Sequence, residues 1–176
     1  LTLAQTDAGL SCFLLPRHLR EGGRNRLFLQ RLKDKCGNRA NASAELELDR
    51  ARAMQMGPEG RGITTILAMV QQTRLDTAVA PVGMLRQALV QVSHHAHHRQ
   101  AFGQRLIDQP LMRRVVADLA LEHEASLILV MRLARAFDQA EANEHERLLA
   151  RLGAPAAKYW TTKRAPQAIY EAMECL

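Results

Sequence analysis

Four histidines, His94, His95, His97 and His98, crowd into five positions of this chain. His94 and His98 are four residues apart, so on a helix they share a face and could hold a metal ion. No cysteine or carboxylate lies close enough in sequence to complete a coordination sphere, so a polar, partly exposed helix face outranks the metal reading and no metal ligand is assigned. Imidazole titrates near neutrality, which makes the cluster locally sensitive to pH. Two arginines are the other candidates. Arg74 falls on an apolar helical stripe, where a charge is costly unless it is paired with a carboxylate or meets an anionic ligand. Arg99 follows the histidines and stands just before Phe102-Gly103. An arginine at a helix end, beside a bend and a ring, suits a phosphate clamp with a stacked base, or is simply a surface cation.

Other chemistries are poorly served. No GxSxG, P-loop or GxGxxG pattern occurs, and no Cys–His or Ser–His pair has a known local spacing. With one Trp and 4% aromatic residues, a stacking platform for single-stranded nucleic acid is not expected. The three cysteines, Cys12, Cys36 and Cys175, are far apart and odd in number, and read as free thiols of a reducing compartment, here the cytoplasm. The net charge of +6 is spread along the chain among acidic residues, which favours a solvated arginine-rich surface over a dedicated nucleic-acid face.

The elements that must position these groups fall into two halves. With 47% hydrophobic and 24% charged residues, the 176-residue chain has the balance of a globular protein with a real core. No run approaches the roughly 20 apolar residues of a membrane helix. Up to about residue 50 the pattern is short and strand-like: Leu10–Leu15 closed by Pro16, a turn cluster from Glu21 to Asn25, Leu27-Phe28-Leu29, then Leu46 and Leu48. Three or four antiparallel strands are expected, too few for a free-standing sheet.

From Gly62 the period becomes helical, with Ile63, Leu67, Val70, Arg74, Ala78, Pro81, Leu85, Leu89 and Val92 on one stripe that can reach His98. Pro81 should kink that helix. A second helix follows Pro110, with Asp108 as a possible cap and a stripe of Leu111, Val115, Leu119, Leu127, Val130 and Phe137. A third runs from about Glu144, with Leu148, Leu152, Tyr159, Ile169 and Met173, bent by Pro155 and Pro166. Three long helices on short links predict an antiparallel bundle. Leu1-Thr2-Leu3 already alternates, and the last residues still follow helical spacing, so the chain is expected to be a piece of a longer polypeptide.

Residues 95–109, HAHHRQAFGQRLIDQ, resemble the Tyr-Ala-x-x-Arg-x-x-Phe-Gly-x-x-Leu signature of acyl-CoA dehydrogenases. The segment GPEGRGITTILAMVQQTR at 57–74 resembles that family's glycine-rich entry to its long helix, and RLKDKCGNRANASAELEL at 31–48 the last strands of its middle domain. The stretches RLKDKCGNRANAS, QTRLD and LIDQPLMRRV look most like the branch linked to the adaptive response to DNA alkylation damage.

The resemblance implies a mainly α chain with a short antiparallel β segment. Residues 1–55 would be the C-terminal strands of the middle β-domain, and 56–176 the first three helices of the C-terminal bundle. It implies FAD as cofactor, acyl-CoA as substrate and a homo-oligomer, dimer or tetramer. Arg99 would contact the flavin pyrophosphate, reaching into a partner subunit, Phe102 would pack near the adenine end, and Gln109 would help hold that end. Arg74 would line the acyl-CoA site. The family's Gln usually falls one place later, where this chain has Pro110, and the signature Tyr is His95. Some members carry the catalytic Glu immediately before the helix Arg; here that position is Thr73, which cannot act as a carboxylate base, so no catalytic residue is assigned. Gln71 replaces the acid often found three residues before that Arg. The expected function is FAD-dependent oxidation of CH–CH bonds in acyl thioesters. The alternatives are a DNA-binding alkylation-response flavoprotein with little turnover, its DNA-contacting part outside this chain, and a plain helical oligomerisation module.

Overall fold

A computed structural model describes all 176 residues, which form two compact units, 1–69 and 70–176. The first unit holds five strands. β1 (Thr2–Thr6), β2 (Gly9–Leu14) and β5 (Met54–Met56) make an antiparallel sheet in the order β1-β2-β5, while β3 (Leu27–Leu32) and β4 (Ala44–Leu48) pair separately as a ribbon. The count exceeds the expected three or four because β5 is three residues long and carries no alternation of its own to read.

Two buried polar side chains hold this unit. Asn25 closes the expected turn cluster and satisfies all four of its hydrogen-bonding positions. Its amide donates to the carbonyls of Pro16 and Arg52, both at 2.8 Å, and its carbonyl oxygen accepts from the amides of Arg26 and Arg52. Ser11 accepts the Gly60 amide at 2.8 Å, which ties β2 to the entry of the first helix.

The second unit is built from three long helices, α1 (Gly62–His98, its first two turns in the first unit), α2 (Pro110–Gln139) and α3 (Glu144–Glu174). Leu75, Ala78 and Val82 of α1 cluster with Val130 and Leu133 of α2 and Ala157 of α3. Leu89 and Val92, further along α1, meet Leu119 and Ala172. Early α1 therefore packs on late α2 and early α3, and late α1 on early α2 and late α3. That pairing makes α2 antiparallel to both neighbours, as short connections require. All three helices run uninterrupted through the sequence signals, Pro81, Pro155 and Pro166 included.

The packed faces differ from those expected. On α1 the buried row is Leu75, Ala78, Val82, Leu85, Leu89, Val92 and Ala96, spaced three and four apart. Ile63 and Leu67 are exposed, and Arg74 is half-buried beside that row, not within it. On α2, Leu119 and Val130 are buried as expected, but Leu111 and Leu127 are exposed while His123, Ser126, Leu133 and Ala136 turn inward. The largest correction is on α3. Its buried row is Ala150, Ala154, Ala157, Thr161, Ala165 and Ala172, whereas Leu148, Leu152, Tyr159 and Met173 are exposed. A helix lined with alanine can approach its neighbours closely, and Gly153 shows how closely: a Cβ there would lie 2.5 Å from Leu133 Cδ2. Spacing alone does not tell which of two apolar faces turns inward.

Asp108 is not the cap of α2. Gln109 holds that position with no side-chain cap, and Pro110 takes the first turn as expected. Asn143 caps α3, accepting the Glu146 amide at 3.3 Å.

Two bidentate ion pairs fasten α2 to α3, Arg132 with Glu146 at 2.7 and 2.9 Å, and Arg164 with Glu122 at 2.6 and 2.6 Å. The Arg164 guanidinium also lies 4.7 Å from the centre of the Trp160 ring. The bonds from Arg164 lower the Glu122 carboxyl below its ordinary 4.5, against a smaller opposing effect of burial. A depressed carboxylate contributes stability above its unfolded value, and loses it as pH falls through the folded value. The loss of melting temperature caused by Glu122→Gln should therefore be full at neutral pH and fade as the solution drops below the ordinary 4.5. A loss that stays constant into acid would show that the ion pair is not its source.

Candidate functional site

The segment that follows α1 is a tightly braced corner. Two short strands, β6 (Gln100–Ala101) and β7 (Gln104–Arg105), form a hairpin whose two turn residues are Phe102 and Gly103. Both have left-handed backbones, with φ of 54° and 79°, the pattern of a type I′ turn. Glycine adopts it freely, but a bulky aromatic residue there is strained by roughly 1 kcal/mol or more.

Arg99 is pinned at both ends of its backbone. Its amide donates to His95 O at 2.8 Å, and its carbonyl accepts from Leu106 N at 2.9 Å. Gln109 reaches back across the corner, donating its side-chain amide to Ala101 O at 3.3 Å. Arg105 grips the Asp108 carboxylate at 2.9 and 3.3 Å, and Arg113 donates to Asp108 O at 2.9 Å. The bonds from Arg105 hold the Asp108 carboxyl below its ordinary range, with smaller effects from the charges of Arg113 and His97. Arg105 and Asp108 are three residues apart, but the pairing depends on the strand-to-turn geometry of the corner and not on a helix face.

What this rigid frame presents is a cation and a ring with nothing to bind inside the chain. The Arg99 side chain is exposed and enters no ion pair, and Phe102 is 97% exposed. An aromatic residue that is both solvated and strained stabilises nothing internally, so its use lies in a contact outside the chain. The donor set suits a phosphate held by guanidinium with a flat ring beside it.

Arg74 belongs to a separate place. It is 25 residues before Arg99 on the same helix, about 37 Å at 1.5 Å per residue, so one chain does not bring both to one point. The ion-pair explanation for Arg74 fails, since no carboxylate bridges to it. Three residues earlier the side-chain carbonyl of Gln71 is buried without a hydrogen-bond partner. A buried acceptor left alone costs about 1–3 kcal/mol, so this helix face carries two polar groups unused by the fold. His94 and His98 stack with ring centres 4.2 Å apart, and no group of three or more His, Cys, Asp or Glu is placed to hold a metal.

The fold defines an α-helical bundle domain with an exposed arginine and ring at one corner. The family described as acyl-CoA dehydrogenase, C-terminal domain, matches residues 60–176. The putative acyl-CoA dehydrogenase AidB of Escherichia coli K12 is 49% identical over the whole chain, which covers 32% of that relative. Acyl-CoA dehydrogenase family member 11 of Caenorhabditis elegans is 33% identical, with 95% of this chain and 28% of that one aligned. The crystal structure of C. elegans ACDH-11 in complex with C11-CoA superposes with a TM-score of 0.88 at 33% identity, over 96% of this chain and 29% of that one. This chain belongs to the acyl-CoA dehydrogenase family. Its homologues are FAD-dependent flavoproteins, and it spans about a third of the length of these relatives.

Proposed function

We propose that the protein containing this chain is an FAD-dependent acyl-CoA dehydrogenase-like oxidoreductase acting on CH–CH groups of acyl thioesters. In this reading residues 1–55 close its middle β-domain and 56–176 open its C-terminal bundle. The observation that carries it is the corner at 99–109, where a fixed backbone offers an unpaired guanidinium and an exposed, strained ring. Arg99 neutralises the flavin pyrophosphate and Phe102 packs at the adenine end. Gln109 keeps the hairpin folded back, so that both stay presented. Bound flavin would take up the hydride of the β-carbon.

Arg74 and Gln71 would meet polar parts of the acyl-CoA at the other end of α1. Since Arg99 lies about 37 Å away along the helix, a complete site draws these ends from different subunits of a homo-oligomer. Thr73 offers no base, so the group that abstracts the α-proton stands elsewhere in the protein.

Arg99→Glu in the full-length protein should retain at least about tenfold less flavin through gel filtration, read from absorbance, since a charge-assisted bond to phosphate is worth about 1.5–3 kcal/mol. Unchanged flavin content would overturn the assignment. Phe102→Asn separates the ring's two effects. Asn tolerates the left-handed backbone, so the flavin-free protein should gain about 1 kcal/mol, roughly 2–4 °C in melting temperature, while flavin binds more weakly.

A second reading draws support from the charge of +6 on this chain: a DNA-binding flavoprotein of the alkylation-response kind with little turnover. DNA affinity of the full-length protein falling linearly in log–log with salt would favour it. Bleaching of the bound flavin by an acyl-CoA would favour the first.

A further inference from the structure

The histidine cluster lies beside a feature that the flavin reading does not use. Between α1 and α2 runs an open groove of about 480 Å³. Arg86, Ser93, His94, His97 and His98 form its polar rim, and Leu89, Val90, Val116 and Ala120 its apolar floor. No carboxylate lines it.

The tautomers of two rings follow from their contacts. His97 Nδ1 lies 2.7 Å from Ser93 O, and His98 Nδ1 lies 2.7 Å from His94 O. A carbonyl only accepts, so each Nδ1 carries the proton, and the neutral ring leaves Nε2 as a bare lone pair. Lone pairs repel an oxyanion. Protonation turns each Nε2 into a charged donor, and the groove changes from one fixed cation, Arg86, to several. His94 and His98 stack at 4.2 Å, which sets two imidazoles side by side along the groove. An anion that prefers the charged rings favours that form when it binds.

We propose that this groove is a pH-gated site for a phosphate-class oxyanion, filled when the imidazoles are protonated and released as they lose charge. The surrounding charges are compatible with this. α2 contributes only Val116 and Ala120 to the lining; Arg113 stands one turn before Val116, and the buried His123 and the exposed Glu124 stand one turn after Ala120. The charge of His97 reaches Asp108, an acid that Arg105 already pairs. The apolar floor favours a phosphate monoester with an alkyl or other apolar part over the free ion.

Sulfate is the probe of choice, because its charge does not change across the range in which imidazole titrates. Titrated calorimetrically into the full-length protein, it should bind about tenfold or more tighter near about pH 5.5 than near about pH 8. The double substitution His97→Gln/His98→Gln should flatten that dependence, and Arg86→Gln should weaken binding at both pH values. Histidine ¹⁵N spectra of the parent protein give a reading that does not depend on the variants folding: saturating sulfate should move the Nε2 signals of His97 and His98 towards the protonated position. At fixed low pH, n-butyl phosphate binding tighter than inorganic phosphate assigns the site to an ester, and the reverse order assigns it to the free anion. Equal sulfate affinity at both pH values, or unmoved Nε2 signals, would overturn the proposal.

Discussion

Gly62→Ala should destabilise the N-terminal unit by about 3 kcal/mol, the upper part of the usual range for forcing an extra carbon into a filled space. A Cβ at this position would lie 2.6 Å from Ser11 C, 2.8 Å from Leu10 O and 2.9 Å from Cys12 N. All three are backbone atoms of β2, the central strand of the sheet, so no side chain can swing aside to make room. Ser11 and Cys12 are fully buried, and Ser11 also accepts the Gly60 amide, so the strand is held against the helix entry and has little freedom to retreat. Gly83→Ala makes the control. It lies inside α1 with nothing within 4 Å of the added carbon, so the same chemical change should stabilise by about 0.5–1 kcal/mol, through a stiffer unfolded chain and better helix propensity. Urea unfolding of the two variants should move in opposite directions. A neutral Gly62→Ala would mean that β2 and the start of α1 are not in contact.

The second large effect concerns α3. Ala157→Leu should cost about 3 kcal/mol, because Ala157 is buried among Leu75, Val82, Val130 and Leu133 and the added atoms have no space. Leu152→Ala, which removes more apolar surface, should cost less than about 0.5 kcal/mol in this chain, since Leu152 is 70% exposed. Composition alone predicts the reverse order, with the leucine as the core residue. Denaturant midpoints would separate the two views, and a larger loss at Leu152 than at Ala157 would mean that α3 packs by its other face.

Those two substitutions mark where reading the sequence stopped short. Helix existence was legible for a physical reason: thirty or more residues of three-and-four spacing outweigh any single breaker, so Gly62, His98, Pro110 and Glu144 emerge as boundaries from pattern alone. The break at Phe102-Gly103 was also legible, because it interrupts that period. The facing of the helices was not. α3 carries an alanine row and a row of large apolar residues, and hydrophobic periodicity weights the large ones, while close packing against Leu133 selects the small ones. Arg74 shows the same effect at one residue, assigned to the buried stripe by spacing and lying half-buried beside it.

The candidate site divides along the same line. Residue types and order nominated Arg99 beside the Phe102-Gly103 break, where local turn chemistry governs, and only the resemblance to the family signature added Gln109. Three properties came only from the fold: a left-handed aromatic left almost wholly in solvent, an Arg99 backbone bonded on both sides, and a Gln71 carbonyl buried without a partner. Each depends on which atoms from distant parts of the chain arrive, or fail to arrive, at a given point. Local sequence determines how a segment turns and what it can donate or accept. Whether that capacity is spent inside the protein or kept for a ligand is decided by the neighbours that packing brings.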